Sequence, residues 1–116
     1  MVDTKELMIG NWVTYEDELV KVVGMIEERV AVRPGDSDKV RYSLKGQNLE
    51  PIRLDDHVLE KCGFVKNSHL WVINDALILE PFRSAYSLSY FGQRIEGLKY
   101  LHQLQNAYFM LTGKQL

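Results

Sequence analysis

One thiol, three imidazoles and a pair of adjacent carboxylates are the side chains in this sequence from which a reaction could be built. Cys62 is the single cysteine of the 116 residues. It closes the stretch Leu54-Asp55-Asp56-His57-Val58-Leu59-Glu60-Lys61-Cys62-Gly63-Phe64, which reads as a short helix with an Asp at its N-cap and a Gly just past its end. A thiol at the C-terminal end of a helix faces the negative pole of the macrodipole, which disfavours the thiolate. His57 lies five residues earlier, on a different side of that helix, and no Asn or Asp stands out to orient it. The expected role of Cys62 is a buried, structural one. Asp55 and Asp56 point in different directions at a helix start, so capping is expected of them rather than paired acid and base catalysis.

The three histidines, His57, His69 and His102, fall on different elements. None has a second ligand at a spacing of two or four, and no zinc signature is present, so no metal site is expected. His57 shares a helix face with Glu60 as a solvated pair, and His69 projects to the same side of its strand as Trp71. None of the eight glycines forms the spacing of a phosphate-binding loop, which leaves nucleotide hydrolysis without support and no cofactor expected. The reading is non-enzymatic. An enzyme would need a deep pocket joining His57 or His69 to a carboxylate.

The patterned surface feature is basic. With Arg29 to Arg33 and Lys39 to Lys45 as strands, alternation turns Val30, Val32, Val40, Tyr42 and Leu44 inward, and Arg29, Arg33, Lys39, Arg41 and Lys45 outward. Five cations would then share one side of a hairpin, with Asp36 and Asp38 in the connecting turn reducing the local sum. Such a face is either solvated surface or a contact for phosphate or an acidic partner. The aromatics that accompany cations in a nucleic-acid groove are represented only by Tyr42, and it is expected to point inward.

These side chains hang on two kinds of texture. From Ile9 to Ile52 five short strands are predicted: Ile9 to Tyr15, Leu19 to Ile26, Arg29 to Arg33, Lys39 to Leu44 and Leu49 to Ile52. Glu16-Asp17-Glu18, Glu27-Glu28, Pro34-Gly35-Asp36 and Gly46-Gln47-Asn48 serve as turns. Closure into a small SH3-like barrel removes the exposed edges. After the short helix, His69 to Ile73, Leu77 to Phe82 and Tyr86 to Phe91 read as a three-stranded antiparallel meander, connected through Asn74-Asp75 and Arg83-Ser84. Leu98 to Thr112, ended by Gly113, is a helix whose stripe of Tyr100, Leu101, Leu104, Ala107, Tyr108 and Leu111 should cover the meander. Phe109 and Met110 lie off that stripe, and either fill the seam between the halves or remain exposed for a protein contact. The fold class is α+β, with residues 1–53 an SH3-like β-barrel and residues 54–116 a helix-meander-helix unit.

Composition supports one or two small folded units: 46% of residues are hydrophobic and 26% charged, too apolar for a disordered chain. Fourteen Lys and Arg against sixteen Asp and Glu leave a net charge of −2, without the basic excess that steers a whole chain to nucleic acid. The longest apolar run is four or five residues, far below the roughly 18 that span a bilayer. With one cysteine and no signal-like start, a cytoplasmic location is expected.

Three stretches together resemble a known family: Glu6-Leu7-Met8-Ile9-Gly10-Asn11-Trp12-Val13; Leu49-Glu50-Pro51-Ile52-Arg53-Leu54 leading into Leu59-Glu60-Lys61-Cys62-Gly63-Phe64; and Tyr100-Leu101-His102-Gln103-Leu104-Gln105-Asn106-Ala107-Tyr108-Phe109 followed by Leu111-Thr112-Gly113. The family is one of small uncharacterised proteins of gut anaerobic bacteria, their phages and mobile elements. It transfers no site, and its setting implies an accessory role in DNA metabolism or host takeover. The Ile-Gly-Asn-Trp-Val opening also resembles the first strand of KOW-type and other SH3-like barrels, which implies the fold and not a ligand. The expectation is an interaction module that binds a protein or itself. The alternative is sequence-tolerant nucleic-acid binding through Arg29, Arg33, Lys39, Arg41 and Lys45.

Overall fold

Turn chemistry divides the first half of the chain. Glu16 and Asp17 both take left-handed backbone, with φ of 50° and 67°. They close a two-residue hairpin between β1 (Trp12–Tyr15) and β2 (Glu18–Ile26), because primed turns match the twist of the flanking strands. Glu27, at φ 55°, opens the next two-residue turn, into β3 (Arg29–Pro34). Then come β4 (Arg41–Leu44) and the brief β5 (Leu49–Glu50). The computed structural model describes residues 1–35, 37–74 and 76–116; Asp36 and Asp75, both expected in turns, lie outside the described residues. The architecture is α+β, dominated by strands and carrying two α-helices among the described residues. It divides into two compact units, Met1–Ile52 and Arg53–Leu116.

In the first unit the strands form one antiparallel sheet in the order β4-β3-β2-β1-β5. Alternation along β1, β2 and β3 sends Val13, Val20, Val22, Val30 and Val32 to one face, where Leu49, Val2 and Leu7 complete a core closed to solvent. Each such side chain contributes about 1.5–3 kcal/mol on burial. The register of β2 against β3 shifts between Val22 and Gly24, a bulge that bends β2.

The second unit opens with α1 (Asp56–Lys61). Asp55 Oδ1 accepts the Val58 N–H at 2.8 Å as its N-cap, and Gly63 turns the chain away at φ 96°. Leu59 is fully buried, Val58 and Cys62 half so, and Leu54 and Phe64 are buried at either end. The three-stranded meander expected here is corrected to five strands: β6 (Val65–Asn67), β7 (Leu70–Ile73), β8 (Leu77–Phe82), β9 (Ala85–Tyr90) and β10 (Gln93–Leu98), in simple up-and-down order. The two additional strands carry no apolar alternation. Every residue of β6 is exposed, and β10 is polar and broken by an irregularity between Ile95 and Leu98, where Gly97 sits at φ 77°. Backbone pairing with β7 and β9 holds them, not a hydrophobic stripe.

Trp71, Leu79 and Leu88 stand opposite one another across β7, β8 and β9, and all three are buried. Helix α2 (Leu101–Thr112) packs on β9 and β10 with Leu101, Leu104, Ala107 and Tyr108 buried. It starts three residues later than its periodicity suggests, because Leu98 still pairs with Tyr86 in the sheet. The Gln103 side chain accepts from the N–H groups of Lys99 (2.9 Å) and Tyr100 (3.2 Å), satisfying donors that a helix start leaves open. Gly113 ends it at φ 74°, donating its N–H to the Phe109 carbonyl at 2.8 Å. Among the described residues no helix is long and apolar enough to cross a membrane.

Candidate functional site

The hairpin of β3 and β4 does not gather the five cations expected of it. Arg41 stands opposite Val32 and Ser43 opposite Val30, so these residues of β4 share the core-facing side of β3. The inward residue of β4 is Ser43, 2% exposed, whose hydroxyl donates to the Gln47 carbonyl at 2.6 Å. Val40, Tyr42 and Leu44, expected inside, are 44%, 59% and 48% exposed. Strand parity therefore puts Arg41 on the opposite side from Arg29 and Arg33, where it pairs with Glu18 at 3.7 Å. Lys45 follows the strand and pairs with Glu28 at 3.9 Å; Lys39 precedes it, exposed, with its N–H on the Ser37 hydroxyl at 3.2 Å. A shared basic face of Arg29, Arg33, Lys39, Arg41 and Lys45 is thus corrected to a different set.

The outer face of the first sheet is built in rows, since residues directly opposite in a ladder project to the same side. Trp12 of β1, Lys21 of β2 and Arg33 of β3 form one row. Gly24, Ala31 and Tyr42 form the next, and Ile26, Arg29 and Leu44 the third. Arg29 and Arg33 keep their expected outward direction, but their companions are Lys21 and two aromatic rings. Lys21 Nζ lies 6.0 Å from the Trp12 ring centroid, within cation–π reach. A Cβ on Gly35 would come within 3.1 Å of the Trp12 ring, so this glycine lets the indole settle against the backbone. Among the described residues no ion pair engages Lys21, Arg29 or Arg33. Lys21 and Trp12 were each legible as outward by alternation with Val20, Val22 and Val13; their alignment with Arg33 was not, because it is set by register.

The side chains that could do chemistry stay apart. Cys62 is half-buried, and burial pushes its thiol above the ordinary value. His57 and His69 are exposed, whereas His102 is buried on α2 with its ring parallel to that of Tyr100 at 6.0 Å. Among the described residues no group of three His, Cys, Asp or Glu is placed to hold a metal ion. Asp55 caps α1, and Asp56 lies 3.5 Å from Lys66 Nζ at the surface.

Phe109 and Met110, off the buried stripe of α2, are 41% and 75% exposed. Elsewhere in this unit a shallow cleft of about 400 Å³ is lined by Asn74, Tyr90, Phe91, Tyr108, Thr112 and Lys114, with Asn74 Nδ2 donating to the Tyr108 hydroxyl at 2.8 Å. Phe91 is 79% exposed and its ring centroid is 4.4 Å from that of Tyr90. No protein-family model matches the chain, and no curated protein or solved structure matches it.

Proposed function

We propose that the protein is a non-enzymatic binding module of the cytoplasm, with an SH3-like barrel as its first unit and the outer face of that barrel's sheet as its contact surface for a polyanion. The strand order β4-β3-β2-β1-β5, with two-residue turns joining β1 to β2 and β2 to β3, supports the barrel. The observation that carries the function is the row Trp12, Lys21, Arg33 with Arg29 four residues away, two rows along, on the same side of β3. Three cations on one face, none held in an ion pair among the described residues, attract negative charge more strongly than paired ones. The acidic residues Glu16, Asp17, Glu27 and Glu28 sit in turns at the rim, so a chain of net negative charge still presents a positive patch. The non-enzymatic reading draws on the separation of the histidines and on a thiol that burial keeps protonated. An accessory role among phage and mobile-element proteins fits a module of this kind.

Chromatography on immobilised heparin tests the surface. The protein is expected to be retained at about 50 mM salt, the Lys21→Glu/Arg33→Glu variant to elute much earlier, and Lys39→Glu/Lys45→Glu to elute like the parent. No retention of the parent, or equal loss in both variants, refutes the reading. A second reading, protein contact or self-association through α2, is favoured by the exposure of Phe109 and Met110. Sedimentation velocity of Phe109→Asp/Met110→Lys beside the parent decides it, since an unchanged oligomeric state with unchanged partners leaves that surface idle.

A further inference from the structure

We propose that the occupant of this face is single-stranded nucleic acid, its phosphates met by Lys21, Arg29 and Arg33 and its bases stacked on Tyr42 and Trp12. The inference rests on the polyanion reading above and names the partner of the same surface. Sequence-tolerant recognition of a single strand takes cations that track the backbone and aromatic faces on which successive bases lie. Both are present in adjacent rows: Trp12 and Tyr42 stand on β1 and β4, three strand spacings across and one row along the sheet or about 16 Å apart, with Lys21 on β2 and Arg33 on β3 between them.

The row that carries Tyr42 is the telling one. Its other members, Ala31 and Gly24, are the two smallest side chains available, and a Cβ on Gly24 would make only ordinary contact, 3.6 Å, with that of Ala31. The Tyr42 ring is 59% exposed, Gly24 is half-buried, and Ala31 between them is buried at 7%. A planar base can lie against the exposed ring of Tyr42, with no bulky side chain beside it in that row. Ile26 and Leu44, 64% and 48% exposed in the next row, extend the apolar part of the surface beside Arg29. An acidic peptide would satisfy the three cations but leave both rings without a role. A duplex presents phosphates with its bases already stacked and unavailable to the rings. The face is thus complementary to an unpaired strand, DNA or RNA.

Fluorescence anisotropy on the full chain distinguishes the occupants. The labelled probes are oligothymidylate and oligouridylate of about fifteen nucleotides, an abasic deoxyribose-phosphate strand of equal length, the corresponding duplex, and polyglutamate. Both base-bearing single strands are expected to bind at least ten-fold tighter than the abasic strand and the duplex. Tyr42→Ala should weaken oligothymidylate about five-fold or more while leaving the abasic strand and heparin unchanged, and Tyr42→Phe should restore binding. Equal affinity for oligothymidylate and the abasic strand overturns this inference and leaves the polyanion reading standing. Tighter binding of polyglutamate assigns the face to an acidic protein instead, and absence of binding to every probe and to heparin overturns both.

Discussion

Tyr42 stands directly opposite Ala31 across the ladder of β3 and β4, which puts its ring on the side of the sheet that carries Arg29 and Arg33. The same register sends Arg41 to the other side, against Glu18. One step of strand pairing thus exchanges a cation for an aromatic in the candidate face, and turns a purely ionic patch into one that can also stack.

The salt dependence of binding follows from how many cations remain. Each phosphate neutralised on a single strand contributes about −0.7 to the slope of log K against log salt, so Lys21, Arg29 and Arg33 together predict a slope near −2. Affinity for oligothymidylate should fall about twenty-fold between about 50 and 200 mM salt. Arg33→Gln is expected to lower the slope by about 0.7, whereas Arg41→Gln should leave it unchanged. Titrations at four salt concentrations in that range measure all three slopes, and a slope that depends on Arg41 would move the contact to the other side of the sheet.

The hairpin between β9 and β10 carries a removable strain. Phe91 at φ 46° and Gly92 at φ 83° form its two-residue turn, a geometry that favours Asn before Gly and penalises a bulky side chain. The Phe91 ring is 79% exposed, so little burial offsets that cost. Phe91→Asn is expected to raise stability by about 0.5–1 kcal/mol, read as a higher urea midpoint with an unchanged slope. A lower midpoint would mean that the contact with Tyr90 outweighs the backbone term.

Where local chemistry decides, the sequence was readable. The first five strands are bounded by turn residues, Asp55 and Gly63 bracket α1, and Gly113 ends α2. Pairing decided the rest. β6 is three exposed residues and β10 a polar run, so neither has an apolar period to detect; each exists because β7 and β9 offer an edge. In and just before β4 the alternation of Val40, Tyr42 and Leu44 mimics an inward face, while the residue of β4 that is buried is a serine with its hydroxyl bonded to Gln47. Alternation gives two opposite faces but not their direction, and here the polar one faces the core. The candidate site was half legible for that reason: Arg29 and Arg33 were found, while the alignment of Lys21 and Trp12 with Arg33 and the outward ring of Tyr42 depended on register.

The two carboxylates at the start of α1 separate cleanly into a structural and a solvated one. Asp55 accepts the Val58 N–H at 2.8 Å, whereas Asp56 makes an exposed pair with Lys66 at 3.5 Å. Asp55→Ala should cost about 1 kcal/mol, and Asp56→Ala less than about 0.5 kcal/mol, because exposed pairs contribute little. Urea unfolding of both variants reads the difference; equal losses would show that charge at the helix start, and not the cap hydrogen bond, carries the effect.

Alkaline pH should destabilise the second unit through two groups that the fold keeps neutral. Burial raises the Cys62 thiol above its ordinary 9.0. Burial also raises the Tyr86 hydroxyl above its ordinary 10.0, helped by the negative charges of Asp56 and then Asp55. Below 9.0 both groups are protonated in the folded and the unfolded chain, and the stabilisation is fully present. As pH rises past these values the unfolded chain releases the protons first, so it binds fewer than the folded one and stability falls until the folded groups ionise too. The urea midpoint is therefore expected to decline above about pH 9, with Cys62→Ala flattening the earlier part of the decline and Tyr86→Phe the later part. Thiol absorbance near 240 nm and phenolate absorbance near 295 nm, followed in native protein and in about 8 M urea, give the two sets of titrations directly. Coincident native and unfolded curves for both groups would remove the cause and with it the prediction.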